Sequence, residues 1–250
     1  MNANKQRWCL GSICAAAYFM LPTTTRADVN IEVETGAVWQ SRNDVAIPGD
    51  SGTRVAFDDI IGSGPWPFYR LYLDYQSSER HAWRVLYAPL ELDGTGTIDH
   101  AVNFEGKTFT PGAVRATYRF NSYRLTYRYL WHDTNPWQWH VGGTAKIRDA
   151  RVALQQGSTQ ADNDNVGFVP LLHVDGAARL NERWHAVVDV DVAAAPQGRA
   201  IDLALKARYQ WSPQQNVSVG YRTLEGGADN EKVYAFAWLH YLVVSAQARF

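Results

Sequence analysis

In Val29-Asn30-Ile31-Glu32-Val33-Glu34 the apolar residues fall on odd numbers and the polar ones on even numbers, the period of two that a strand produces and a helix does not. The same alternation sets Tyr69, Leu71, Leu73 and Tyr75 against Arg70, Tyr72 and Asp74, and Trp137, Trp139, Val141 and Ile147 against His140, Thr144, Lys146 and Arg148. It returns with Val188, Val190 and Val192 against Asp189 and Asp191, with Ile201, Leu203 and Leu205 against Asp202, Lys206 and Arg208, and with Val217, Val219 and Tyr221 against Ser218 and Arg222. The pattern predicts strands at about 28–41, 67–78, 80–92, 113–131, 137–154, 166–180, 183–195, 199–211, 215–225 and 231–250, and hence an all-β chain.

Alternation alone does not separate a soluble sandwich, whose apolar face is packed inside, from a membrane barrel with the faces inverted. Strand length and aromatic placement do. Many segments run to about ten residues, the length of a tilted membrane strand and above the five or six usual in globular sheets. Trp39, Tyr69, Tyr75, Trp83, Tyr87, Trp137, Trp139, Tyr209, Trp211 and Trp238 recur near strand ends, as interface belts require. A transmembrane antiparallel β-barrel of about ten strands follows, with eight or twelve as the alternatives; a periplasmic sandwich would instead have dry, mutually packed aromatic faces.

Connections alternate in character. Ser77-Ser78-Glu79, His132 to Pro136, Asn181-Glu182 and Ser212-Pro213-Gln214 are short, whereas 42–66, 93–112 and 155–165 are long, polar and rich in Gly or Asp. Short turns on one side and long loops on the other place both termini on the periplasmic side. One stretch breaks the pattern: Ala116, Tyr118 and Phe120 are apolar on even numbers, Tyr123, Leu125, Tyr127 and Tyr129 on odd numbers. A strand does not change face without an extra residue, so Asn121-Ser122 is expected to be a bulge, or a tight turn adding an eleventh strand.

The N-terminus refines the picture. Lys5 and Arg7, the apolar run Trp8 to Leu21 and the small residue Ala27 read as a secretory signal peptide over 1–27, leaving 28–250 as the barrel domain. Cys9 and Cys14 both fall inside it, so disulfides, thiolate catalysis and cysteine-ligated metals drop out of the mature chain. Lys5, Arg7 and Arg26 also precede Asp28, which leaves 21 basic against 25 acidic residues, a net charge of −4, and argues against a nucleic-acid partner. The basic residues are mostly arginine, whose planar fork suits fixed, desolvated ion pairs.

The chain ends Ala246-Gln247-Ala248-Arg249-Phe250. Phe250, with apolar residues at alternating positions before it, resembles the C-terminal strand signal of bacterial outer-membrane β-barrels. That resemblance covers the architecture of the whole mature chain on a short motif. It implies residence in the cell outer membrane, with outer-membrane lipid, lipopolysaccharide and the barrel assembly machinery as partners.

With lipid outside, the polar faces line the lumen. The expected charge network is Glu32, Glu34, Arg70, Asp74, Arg84, Arg119, Arg124, Arg128, Lys146, Arg148, Asp175, Asp189, Asp191, Asp202, Lys206, Arg208 and Arg222, with Arg115, His173 and Arg179 beside it. Side chains this long fill a small barrel, so a plugged, rigid lumen with a structural or surface-interaction role is the preferred reading, including a possible extracellular ligand at the outer loops. The alternative is a narrow porin-like channel leaning toward anions, because arginines outnumber acids on these faces.

A second alternative is an outer-membrane hydrolase. The barrel resembles the omptin proteases in size, without an extended motif; that resemblance implies an Asp pair and an Asp–His pair at the outer rim, for which Asp58, Asp59, Asp99 and His100 are the catalytic candidates. Lipid A deacylase barrels need a His–Ser pair on a lipid-facing rim, and the sequence places none. No metal-ligand spacing, phosphate-cradling loop or nucleophile elbow occurs, so no metal and no cofactor is expected.

Overall fold

The computed structural model describes residues 28–250; the expected signal peptide, with Cys9 and Cys14, lies outside the described residues. The elements are β1 (Asp28–Ala46), β2 (Val55–Ala56), α1 (Phe57–Ile61), β3 (Trp66–Gln76), β4 (His81–Ala88), β5 (Glu91–Ile98), β6 (Val102–Phe104), β7 (Lys107–Phe109), β8 (Gly112–Thr134), β9 (Trp137–Gln156), β10 (Thr159–Arg179), β11 (Trp184–Ala195), β12 (Gly198–Ser212), β13 (Gln215–Asp229) and β14 (Tyr234–Arg249). Neighbours pair antiparallel around the ring, and β14 closes it on β1 in a register running from Asn30 opposite Arg249 to Ala46 opposite Tyr234. Closure removes both edges, as a wall in lipid requires.

The barrel has ten wall positions, because β4 and β5 share one of them. Pro89 lies between the two, and a residue without an N–H ends a ladder. Beyond it β5 pairs with β8 alone, and α1 packs on its inner face. Gly94 and Gly96 allow that approach: a Cβ there would stand 2.7 Å from the Cα of Ile61 and of Ile60.

The outward face is built in bands. Along β3, Tyr69, Leu71, Leu73 and Tyr75 are all exposed, so two tyrosines about 20 Å apart along the strand bracket the aliphatic pair. Around the wall, Tyr69, Tyr87 and Tyr123 form one belt, with ring centroids 6.2 and 5.3 Å apart. Trp83 with Tyr127, Trp137 with Trp139, and Trp184 with Tyr209 form the other, at 5.1, 5.5 and 5.1 Å. Apolar side chains outside and charged ones inside make this zone the membrane-spanning one.

Above the upper belt the faces exchange chemistry while the strands keep their register. β8 pairs with β9 without interruption from Arg115 opposite Gln155 to Leu130 opposite His140, so Asn121-Ser122 is neither a bulge nor a turn. Even-numbered residues of β8 point inward throughout: Thr126, Arg124 and Ser122 at membrane level, then Phe120, Tyr118, Ala116 and Val114. Where lipid gives way to water, the hydrophobic effect draws apolar groups into the barrel and leaves polar ones outside. The strand never changes face; its surroundings do.

The interior of this outer part is a core like that of a soluble domain. Phe57, Ile60 and Ile61 of α1 pack with Phe104 and Phe109 from the β6–β7 hairpin and with Val38, Leu92, Val114, Leu154 and Leu239 from the wall. Of the expected loops 42–66 and 93–112, residues 42–46 and 93–98 extend the wall as parts of β1 and β5, and 47–65 and 99–111 fold into the mouth as a plug. The third expected long loop, 155–165, is absent: β9 and β10 run through it to a turn at Gly157-Ser158, with Gly157 at φ +59°. The rim is uneven as a result, since β10 continues from Leu171 to Thr159 beyond its last pair with β11, Leu172 opposite Val192.

Candidate functional site

At membrane level the inward positions carry one connected lattice of ion pairs. Asp202 on β12 lies 2.5 Å from Arg222, 2.7 Å from Arg124 and 3.1 Å from Arg70. Glu34 on β1 lies 3.0 Å from Arg222, 3.3 Å from Lys206 and 3.6 Å from Arg70, and Glu32 lies 2.7 Å from Lys206. Arg124 continues to Asp191 at 2.6 Å, His173 bridges Asp191 and Asp175 at 2.9 and 3.0 Å, and Arg128 grips Asp175 through two nitrogens. Asp74 then joins Arg128 to Arg84, which ends on Asp189 at 2.6 Å. Multidentate arginine–carboxylate contacts are the strong form of the charged hydrogen bond, and each guanidinium here serves more than one strand.

Three expected members sit differently. Arg148 bonds Asn165 and, among the described residues, no carboxylate. Buried Lys146 lies under the plug with its Nζ 4.6 Å from the centroid of Phe120. Arg208 lines a cavity of about 70 Å³ on the side of the lattice nearer the described chain ends, and its Nε has no hydrogen-bond partner among the described residues. A polar space of that size is large enough for a few water molecules.

Arg119 is not in the lumen. It lies on the outer surface of the wall above the membrane, 3.3 Å from Asp149 and 3.1 Å from Asp164, and Arg115 likewise pairs with Asp93 outside. Odd-numbered positions of β8 face outward here, and above the point where the faces exchange an outward position meets water and carries charge. The lattice also includes members that the count of formal charges passes over. Tyr72 accepts from Arg70 at 2.9 Å and from Arg222 at 3.0 Å, Thr144 donates to Asp191, and His140 contacts Asp175. Strand parity was the signal available for all three.

The rim candidates do not assemble. Asp58, in α1, accepts a hydrogen bond from the backbone N–H of Asn43, and Asp59 is exposed. Asp99 and His100 contact each other at 2.5 Å on the surface, with 93% and 62% of their side chains exposed, and no hydrogen bond or ion pair among the described residues links them to Asp58 or Asp59. The hydrogen bond from His100 lowers the Asp99 pKa from its ordinary value. A depressed carboxylate pKa favours the fold above the unfolded value and loses that contribution as pH falls through the folded one. The pair is exposed, so H100A is expected to return the Asp99 titration toward an ordinary carboxylate, read by carboxyl NMR, with the melting temperature nearly unchanged.

Among solved structures, the barrel is similar to the outer membrane protease OmpT of Escherichia coli, with a TM-score of 0.55 and 8% identity over 89% of this chain and 97% of that one. It also matches Ail, the attachment invasion locus protein of Yersinia pestis, with a TM-score of 0.36 and 9% identity over 90% and 99% of the two chains. Neisserial surface protein A matches with a TM-score of 0.37 and 11% identity over 90% and 97%. No family model matches the sequence, and no curated protein does. The fold is that of bacterial outer-membrane β-barrels.

Proposed function

We propose that the chain resides in the outer membrane as a non-conducting barrel and acts at its outward wall and rim, in contact with lipid, lipopolysaccharide or an extracellular ligand. The observation that carries this reading is double closure. An ion-pair lattice spans the lumen at membrane level, and the apolar plug of α1 and β6–β7 fills the mouth above it.

The anion-channel alternative drew on a surplus of arginine in the lumen. With Arg115 and Arg119 outside, that surplus shrinks, and most of the remaining guanidinium groups are bound to carboxylates. Purified protein in a planar lipid bilayer is expected to give no unitary conductance steps. Stable, ion-selective steps overturn the closed-lumen reading.

A further inference from the structure

The wall formed by β13, β14 and β1 changes character stepwise along its outward face. Val244 and Leu242 are exposed aliphatics; next come His240 and Trp238, beside Trp39 and Tyr221; then Phe236 and Tyr234. Over Phe236 lie the guanidinium groups of Arg42 and Arg199, at 5.5 and 5.3 Å, and over Tyr234 that of Arg54, at 3.8 Å. Arg42 and Arg199 also pair with Asp44 and Glu225, whereas Arg54 has no carboxylate partner among the described residues. Aliphatic, aromatic and cationic layers in that order match hydrocarbon, interface and anionic head group in one leaflet. The acyl-ester linkages of membrane lipids lie at the middle level, between chain and head group.

At that level Ser41 Oγ stands 2.8 Å from His240 Nε2, and His240 Nδ1 stands 2.5 Å from the Tyr221 hydroxyl. Ser41 is the extra residue of a β-bulge, because the register passes from Gln40 opposite Leu239 to Arg42 opposite Trp238 and leaves position 41 without a partner. A bulge re-aims a side chain, and this one turns the serine to the imidazole across the strand boundary. Trp39 stacks on the ring at 5.7 Å and 24°, and Trp238 packs on it at 5.4 Å. With Nδ1–H donated to Tyr221, Nε2 is free to accept the Ser41 proton, which is the arrangement of an activated nucleophile with its base and an orienting third group.

We propose that Ser41 and His240 hydrolyse an acyl ester of an anionic lipid in the outer leaflet. The inference rests on the membrane orientation of the reading above. Ser41 Oγ adds to the ester carbonyl carbon while His240 Nε2 takes its proton. The ester C–O bond then breaks, and the imidazolium returns the proton to the departing alcohol, leaving an acyl-serine. Water, deprotonated by the same nitrogen, attacks that carbonyl, and Ser41 leaves with the proton. Ester and water become acid and alcohol, with no other reactant. Arg54 and Arg42 sit where a phosphorylated head group would be held, and Tyr221 is a positioning residue.

The test uses the full-length protein isolated from outer membranes. A long-chain fluorophosphonate is expected to label the wild type at Ser41 by peptide mass. Fatty acid release is followed from phosphatidylglycerol vesicles and, separately, from lipopolysaccharide, and the arm that reacts identifies the lipid. S41A is expected to fall to background and H240N by about 10²–10⁴-fold, with both retaining the heat-dependent gel shift of a closed barrel. Y221F is expected to lower kcat about tenfold with KM unchanged, where loss of simple wall packing would alter the gel shift instead. The proposal is overturned by a wild type that releases acid from neither lipid, labelled or not, or by release that survives S41A. A barrel that conducts yet hydrolyses would sink the closed-lumen reading alone.

Discussion

Asp202→Ala is expected to destabilise the barrel more than any other single change in the lumen. The residue is 4% exposed and faces Arg222, Arg124 and Arg70 within 3.1 Å, so its removal leaves three guanidinium groups crowded in a space without solvent to screen them. Removing one partner of a buried ion pair costs about 3–5 kcal/mol, chiefly through the uncompensated charge left behind. Arg115→Ala supplies the contrast, since its exposed pair with Asp93 is worth about 1 kcal/mol or less. Urea unfolding in detergent micelles, followed by tryptophan fluorescence, measures both. If the two variants unfold within about 1 kcal/mol of each other, the lattice is not what holds the lumen together.

Phe57→Ala is expected to act on the plug and spare the wall. Phe57 is fully buried in α1, with its ring 6.3 Å from that of Phe104, and truncating a core phenylalanine costs about 3–5 kcal/mol. The plug and the wall are stabilised separately, one by apolar contacts inside the mouth and the other by a closed hydrogen-bonded ring, so the loss falls on the plug. Limited proteolysis of intact cells or vesicles should cut faster within residues 47–65, while the unboiled protein still migrates as a closed barrel. Unchanged cleavage would show that this core does not anchor the plug.

Much of the wall is legible in the sequence, because a period of two with full charges on one face survives without knowledge of neighbours. Tyr69 to Tyr75, Val188 to Val192 and Ile201 to Arg208 all lie in strands facing as the alternation implies. The outer part was harder to read because alternation gives parity and not environment. Ala116, Tyr118 and Phe120 look like lipid-facing residues until it is known that the membrane has already ended below them. Arg119 was misplaced for the same reason, and 155–165 read as a loop because its polar residues face water on strands standing clear of the bilayer.

The lattice was partly legible: the charged inward positions follow from parity, but which acid meets which base depends on curvature that closes the ring. Ser41 and His240 were illegible together. They are far apart in sequence, and they meet only because β1 and β14 close the barrel and a one-residue bulge turns the serine toward the seam. A bulge leaves no mark in an alternation when the residues beside it are polar on both sides.

The uneven rim has a consequence for how copies behave when crowded. From Leu171 to Thr159, β10 stands above β11 with one flank unladdered, the kind of flank on which a second chain adds itself as a strand and starts a fibre. Pro170 interrupts that flank with a residue that donates no hydrogen bond, and Asp162 and Asp164 set charge along the same stretch, steadied by Arg151. An identical flank approaching it meets a missing donor and like charges facing each other. The part of the wall that projects beyond its neighbour thus carries its own guard against templated aggregation.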